Sequence, residues 1–307
     1  MYILWRKQMS ESNVNPQKPE SDDRSAKKKA RSHRFWFWVA VLFFVWWFNN
    51  YTLKTTKVQL TSDKLVSPIR IAVISDQHAS KYGISNDSIF RKIDKAKPDM
   101  VAVLGDMYSR GSEWELVSKP VELIQELTDS GYPVYFVTGD HDYYGESVIS
   151  KRYIEAVKNT GAHVLDYKCE YAELNGNRVQ IIGIDNVVYS PTFDLTNEFA
   201  VDRGCYSILL AHIPNYEDFA QFGTDLTLCA DTHGDMIQLP FDLGPVYDAS
   251  RNHWFPQITS PDETVYDKGI FEYSGGNMFI TSGIGASPVP IRFNNRPEVV
   301  IMDIEPK

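Results

Sequence analysis

The sequence predicts an α/β protein, two mixed β-sheets with helices outside them, preceded by an attached apolar segment. Three observations predict it. Between Ile69 and Thr160, apolar runs of strand length alternate with amphipathic helical stretches, which is the pattern of βαβ units around a parallel core. After Gly161, shorter strand-like runs follow one another with a single short helix among them. The third is the stretch from Phe35 to Phe48, fourteen residues without a charge, ahead of everything that can build a core.

Taken in order, residues 1–34 are polar, with Pro16, Pro19 and Lys27-Lys28-Lys29, and are expected to be a disordered basic tail. The run FWFWVAVLFFVWWF is then read, with its flank to residue 51, as a transmembrane signal-anchor. As a helix its fourteen residues span about 21 Å, short of the roughly 30 Å hydrocarbon layer. Tryptophans at both ends, Trp36 and Trp38, Trp46 and Trp47, fit interfacial belts, and no small-x-small cleavage site follows Phe48. The positive charges of Lys27 to Arg34 place the amino end in the cytoplasm and the rest outside it, as a single-pass protein of the cell membrane. Residues 52–68 read as a stalk with an edge strand near Thr55 to Leu60, and 69–307 as one folded domain.

Within that domain, strands are expected at Ile69 to Ser75, Asp99 to Leu104 and Pro133 to Thr138, with helices at Asp87 to Ala96, Trp114 to Thr128 and Ser147 to Thr160. Further strands follow at Cys169 to Leu174, Arg178 to Ile184, Tyr206 to Ala211 and Asp225 to Ala230, with a short helix near Asn215 to Phe222. Three more close the chain, at Ile270 to Ser274, Met278 to Ser282 and Glu298 to Ile304.

The 307 residues, 43% hydrophobic, are enough for a full core. The net charge of −9 is uneven: residues 1–34 hold nine Lys and Arg against four Asp and Glu, leaving 22 against 36 for the rest. The body, near −14, argues against nucleic acid as a partner and suits a protein that concentrates cations. Cys169, Cys205 and Cys229 are too few and too irregularly spaced for a disulfide framework or a thiolate zinc site, and leave room for one disulfide.

The chemistry sits after the strands. One apolar run ends in Asp76-Gln77-His78, the next in Gly105-Asp106, the third in Gly139-Asp140-His141-Asp142; later runs end in His212 and in Asp231-Thr232-His233. Loops at the carboxyl ends of strands are where open α/β sheets bind ligands. Any one of these, a polar turn after a core strand, is common by chance. Five in succession bring together carboxylates and imidazoles, the hard and borderline ligands a pair of divalent cations takes. A carboxylate such as Asp106 has two oxygens with which to bridge both.

The order Asp76-x-His78, Gly105-Asp106, Gly139-Asp140-His141-Asp142, His212 and Asp231-x-His233 resembles the calcineurin-like metallophosphoesterases, whose pattern is D-x-H, G-D, G-N-H-[DE], H and G-H-x-H. The resemblance covers about 230 residues after Ile69, includes Ala211-His212-Ile213-Pro214 and Ile291-Arg292-Phe293-Asn294, and looks most like a membrane-attached bacterial branch. It implies a four-layer α-β-β-α sandwich and hydrolysis of a phosphoester, attacked by hydroxide held between two divalent ions. Mn²⁺ leads the candidates, with Mg²⁺, Fe, Zn²⁺ and Ca²⁺ behind it. Carried over, Asp76, His78, Asp106 and His233 would hold one ion, and Asp106, Asp140, His212 and Asp231 the other. His141 would assist at the phosphate with Asp142 orienting it, and Arg110, in Gly105-Asp106-Met107-Tyr108-Ser109-Arg110-Gly111, is similar to a phosphate-binding arginine of the phosphoprotein phosphatases.

Two departures stand out. Asp140 replaces asparagine and Asp231 replaces histidine, both on the same ion, so the ligands carry −4 and cancel two divalent cations. A neutral centre favours a phosphodiester or pyrophosphate over a monoester dianion. The expected substrate is lipid-linked or part of the cell envelope. Alternatives are a metal-binding envelope module without turnover, and a nuclease in which Tyr143 and Tyr144 stack on a base; the acidic body weighs against the second.

Overall fold

A computed structural model describes residues 20–142, 147–184, 195–286 and 290–307. Tyr143, Tyr144 and the start of the expected tail lie outside the described residues. Along the chain run α1 (Glu20–Tyr51), β1 (Lys54–Ser62), β2 (Ile69–Ile74), α2 (Asn86–Ala96), β3 (Met100–Val103), α3 (Trp114–Asp129), β4 (Val134–Phe136), α4 (Val148–Asn159) and β5 (His163–Val164). They are followed by β6 (Lys168–Leu174), β7 (Asn177–Gly183), α5 (Leu195–Glu198), β8 (Tyr206–Leu210), α6 (Tyr216–Phe222) and β9 (Leu226–Cys229). The chain closes with β10 (Tyr247–Asp248), β11 (His253–Trp254), α7 (Pro256–Thr259), β12 (Gly269–Tyr273), β13 (Gly276–Ile280) and β14 (Glu298–Pro306).

Two six-stranded mixed sheets form, in the orders β1-β14-β2-β3-β4-β5 and β12-β13-β9-β8-β7-β6. Side chains alternate across a strand, so each sheet has two apolar faces to cover. Ile71 and Val73 of β2 face one core with Ile181 of β7, Ile208 and Leu210 of β8 and Leu228 of β9, which joins the sheets face to face. Their neighbours Ala72 and Ile74 pack the other way, with Ile89 and Ile93 of α2, Leu123 of α3 and Val157 of α4. On the far side of the second sheet Leu209 and Cys229 meet Phe219 and Phe222 of α6. The result is the expected order of helix, sheet, sheet, helix. Among the described residues all three cysteines are free.

The front of the chain departs from expectation. The helix begins at Glu20, so much of the stretch read as disordered is helical. Phe35, Trp36, Phe37 and Trp38 are each more than 60% exposed. No helix among the described residues is long and apolar enough to cross a membrane, and the expected transmembrane helix is not found. The physical reason is length: fourteen uncharged residues make about 21 Å, and lysines and arginines begin at once on the amino side. The last turns of α1 belong with the two-sheet body. The Asn50 side chain accepts from the Arg292 N–H (2.7 Å) and donates to its carbonyl, Asn49 accepts from the Asn294 N–H (2.8 Å), and the Trp46 indole donates to Pro290 O (2.8 Å). Residues 52–68, read as a stalk, contain β1, which pairs in parallel with β14 along its whole length.

Where β14 starts, Glu298 is buried and ties three segments: it accepts from Thr281 Oγ1 (3.1 Å), the Ser282 N–H (2.8 Å) and Thr56, and pairs with Lys54 at 3.0 Å. Burial alone would raise its pKa, but Lys54, Thr56 and Ser282 hold it below the ordinary 4.5. A depressed carboxyl pKa stabilises the fold above the unfolded value, and that stabilisation is lost as pH falls through the folded one. Glu298→Gln is expected to cost about 2 kcal/mol at neutral pH. Urea midpoints of the two proteins should converge as pH drops below 4.5.

Candidate metal centre

The carboxyl ends of β2, β3, β4, β8 and β9 meet at one edge of the two-sheet core, and each delivers its polar residue there. The backbone turns sharply to do so. Asp76, His78, Asp106, Asp231 and His233 all have positive φ, between 41° and 67°. Each left-handed non-glycine residue costs on the order of 1 kcal/mol, and such strain gathers at functional sites. Glycines give the carboxylates room: at Gly283, φ +67°, an added Cβ would stand 2.6 Å from Asp76 Cβ and 2.7 Å from its Oδ2.

All seven predicted ligands come together, with His141 beside them. Ligand atoms of Asp76, His78 and His233 lie within 4.8 Å of one another, as do those of Asp140, His212 and Asp231. Two further groups, Asp76-Asp106-His212 and His78-Asp106-His141, join those two ends. Asp106 stands between the halves, its Oδ1 at 3.5 Å from His212 Nε2 and its Oδ2 at 3.7 Å from His78 Nε2. His212 Nε2 also reaches Asp231 Oδ1 at 3.6 Å.

Several details fit a cation here. Both Asp76 carboxylate oxygens and His212 Nε2 are buried without a hydrogen-bond partner among the described residues. His212 Nδ1 meets the Leu104 carbonyl at 2.6 Å. A carbonyl only accepts, so Nδ1 carries the proton and the neutral ring turns a bare Nε2 to the cluster, as metal-binding histidines do. Burial pushes Asp76 up to about 7. Burial would lower His212, but Asp106 beside it more than offsets this and raises it well above an ordinary histidine. Both shifts are those of a crowded acidic site held without a balancing positive charge. His233 fits less simply. Arg292 Nη2 lies 3.2 Å from its Nδ1 and can only donate, which puts the hydrogen of the neutral ring on Nε2, 3.1 Å from His78 Nε2. Binding a metal through that atom requires the Arg292 contact to be given up.

A model of the calcineurin-like phosphoesterase family matches residues 69–242. The chain belongs to that family. It is a metallophosphoesterase, an enzyme class that works with divalent metals. Among its relatives are the uncharacterized metallophosphoesterase YkuE of Bacillus subtilis, 26% identical over 77% of this chain and 79% of the relative, and the phosphodiesterase YaeI of Escherichia coli, 22% identical over 78% and 83%. A transmembrane protein with a metallophosphoesterase domain from Danio rerio is 27% identical over 80% of this chain and 56% of its own length.

In this metallophosphoesterase the loop after β4 corrects one expectation. Asp142 does not orient His141. Its buried carboxylate accepts the backbone N–H groups of Asp106 (2.6 Å), Met107 (3.1 Å) and Gly139 (3.0 Å), and so binds the loop after β4 to the loop after β3. His141 is held instead by the Arg110 N–H, 2.9 Å from its Nδ1. A backbone N–H can only donate, so Nδ1 accepts and the neutral ring carries its hydrogen on Nε2. The Arg110 side chain bends to Asp140, with Nη2 2.8 Å from the carbonyl and 3.5 Å from Oδ2.

Two supporting residues gave no signal in the sequence. Ser109 meets His78 Nδ1 at 3.2 Å. Arg292, noted only within a closing motif, is almost wholly buried behind the cluster, donating to Ser282 O (2.6 Å), Gly285 O (2.8 Å) and Asn295 O (3.3 Å). Burial lowers its pKa to about 10. An arginine between two exposed apolar residues, Ile291 and Phe293, has no neighbour in sequence that announces a buried site.

Proposed function

We propose that this metallophosphoesterase hydrolyses a phosphodiester or a pyrophosphate at a centre of two divalent cations. Asp76, His78, Asp106 and His233 would hold one of them, and Asp106, Asp140, His212 and Asp231 the other. The observation that carries this reading is the pair of end groups joined through Asp106. Bound there, divalent cations supply an activated water and positive charge against the phosphate.

The chain's own part is positioning and hydrogen-bond donation. His141, its Nδ1 occupied by the Arg110 N–H and its ring therefore neutral, would donate a hydrogen bond from Nε2–H to the phosphate or the leaving oxygen, while the proton that the leaving oxygen gains comes from the attacking water. Arg110, half-exposed beside Asp140, lies where a phosphate oxygen would meet its guanidinium. Four carboxylates, Asp76, Asp106, Asp140 and Asp231, cancel the charge of two divalent ions. A centre of zero net charge draws a dianionic monoester less strongly than the family's asparagine and histidine would, which favours the singly charged diester. Four hard oxygen donors also favour Mn²⁺ or Mg²⁺.

The place of action we infer is a membrane surface. The exposed aromatic residues of α1, the basic stretch before them and the printed name of the fish relative support it.

Bis-p-nitrophenyl phosphate and p-nitrophenyl phosphate, assayed with Mn²⁺, separate the charge argument from the rest. The parent should favour the diester by about tenfold in kcat/KM, and the Asp140→Asn, Asp231→His double variant should shift the ratio at least tenfold toward the monoester. Hydrolysis of neither ester with Mn²⁺ or Mg²⁺, or a preference for the monoester in the parent, overturns the reading.

A further inference from the structure

A cavity of about 690 Å³ opens directly beside the metal centre, and Asp231 and His233 form part of its lining. Its remaining wall is largely apolar: Met236, Val246, Trp254, Tyr266 and Ile291 face it. That is the volume of a whole small-molecule site, set against a phosphoester centre. Several of the polar groups on the wall are bonded within the protein. Asp235 Oδ1 accepts the Ala249 N–H at 3.2 Å, and Asp248 takes Ser250 Oγ (2.6 Å) and Arg251 Nε (2.7 Å).

The wall continues outward as a strip of short paired segments. The Phe293 N–H donates to Met236 O (3.1 Å), Val246 N–H to Ile237 O (2.9 Å), and Phe255 N–H to Val246 O (2.9 Å). Every segment of the strip presents apolar side chains to solvent: Ile291 and Phe293, then Phe241 and Leu243, then Trp254 and Phe255. Its edge at 290–294 is the stretch to which Trp46, Asn49 and Asn50 of α1 are hydrogen-bonded. So the stretch that carries Ile291 and Phe293 lines the cavity at Ile291 and is tied to the last turns of α1 at Trp46, Asn49 and Asn50.

We propose that the cavity takes the hydrocarbon chain of an amphiphilic phosphoester, whose phosphate sits at the metal centre while the exposed strip meets the lipid surface that supplies it. This deepens the phosphodiesterase reading above and rests on it. An alkyl chain matches an apolar wall that runs on past the cavity mouth. A nucleobase would need polar groups free to read its edge, and Thr232, Tyr247 and Asp248 on this wall are each already bonded to the protein.

The test compares octyl p-nitrophenyl phosphate with methyl p-nitrophenyl phosphate, both below the micellar concentration and with Mn²⁺. In each, the oxygen of water joins phosphorus, the bond from phosphorus to the aryl oxygen breaks, and p-nitrophenol leaves with a proton while the alkyl phosphate remains. The octyl ester should be favoured by about a hundredfold in kcat/KM, since burial of each methylene adds to binding. Trp254→Ala and Ile291→Ser, on separate parts of the wall and both exposed enough to fold, should each cut that ratio at least tenfold, while Ile270→Ala, an exposed apolar residue outside the strip, leaves it. Both esters turned over at rates within about threefold of each other, or a ratio that neither wall variant changes, overturns the lipid proposal and leaves the phosphoesterase reading intact. If neither ester is hydrolysed, it is the phosphoesterase reading that fails. Calorimetric titration of octyl phosphate against methyl phosphate then decides the cavity on its own: tighter binding of the octyl compound by at least about thirtyfold supports it, and equal binding overturns it.

Discussion

Asp106→Asn is expected to lower kcat/KM for an aryl phosphodiester by about a thousandfold or more while the protein stays folded. Asp106 turns one oxygen to each half of the centre, with His212 at 3.5 Å and His78 at 3.7 Å. Its Oδ1 also accepts the His141 N–H at 2.8 Å, so the same carboxylate sets the position of the proposed hydrogen-bond donor to the phosphate. Asparagine keeps one oxygen, removes the charge and turns an NH₂ to one of the two halves. Burial acts to raise the Asp106 pKa, yet His212 and His78 hold it well below an ordinary carboxyl. It also raises the pKa of Asp76 and Asp142 nearby by repulsion. Removing it relieves that repulsion but forfeits the pairing with His212 and His78 that depresses its own pKa, so the metal-free variant should stay folded and melt somewhat lower than the parent. A thermal melt alongside the kinetics separates loss of the centre from loss of the fold.

Gly139→Ala is the second large effect, on a residue that binds nothing. A Cβ at this position would overlap Asp106 Oδ1 and lie 2.6 Å from the Asp106 N atom. Both loops are fixed: Asp142 clamps the Gly139 and Asp106 N–H groups, and neither can give way without breaking that clamp. The methyl must move the carboxylate. A shift of about 1 Å in a positioned group costs about a hundredfold in rate, and overpacking a tight site costs about 1–3 kcal/mol. The kinetic loss should persist at saturating Mn²⁺, and the urea midpoint should fall with it. Activity and midpoint both unchanged would mean that the two loops are not braced against each other.

Much of this was legible in the chain. Buried strands announce themselves as apolar runs, and β2, β3, β4, β8 and β9 each end where the run meets an Asp, a Gly-Asp or a His. That change of character marks the five candidate loops, while the division of their residues between two ions is what the family resemblance implies. What sets the ligands in place was not legible, because it acts across space. Arg292 reaches the centre from 59 residues after His233, and Ser109 from 31 after His78. Sequence adjacency misled at Asp142, which stands next to His141 but turns to backbone N–H groups of another loop. The cavity wall was hidden for a different reason. Its strands, β10 and β11, are two residues long, too short to show a period. At the front, composition marked the aromatic run but not the helix continuing through basic residues back to Glu20, since lysine and arginine are good helix formers.

The most direct measurement is calorimetric titration of Mn²⁺ into the chelator-stripped chain, with diester hydrolysis followed at each step. Two ions per chain are predicted, with activity rising only as the second site fills, and with Asp106→Asn impaired at both. Saturation at one ion, or full activity in the stripped protein, would contradict a two-cation centre joined through Asp106.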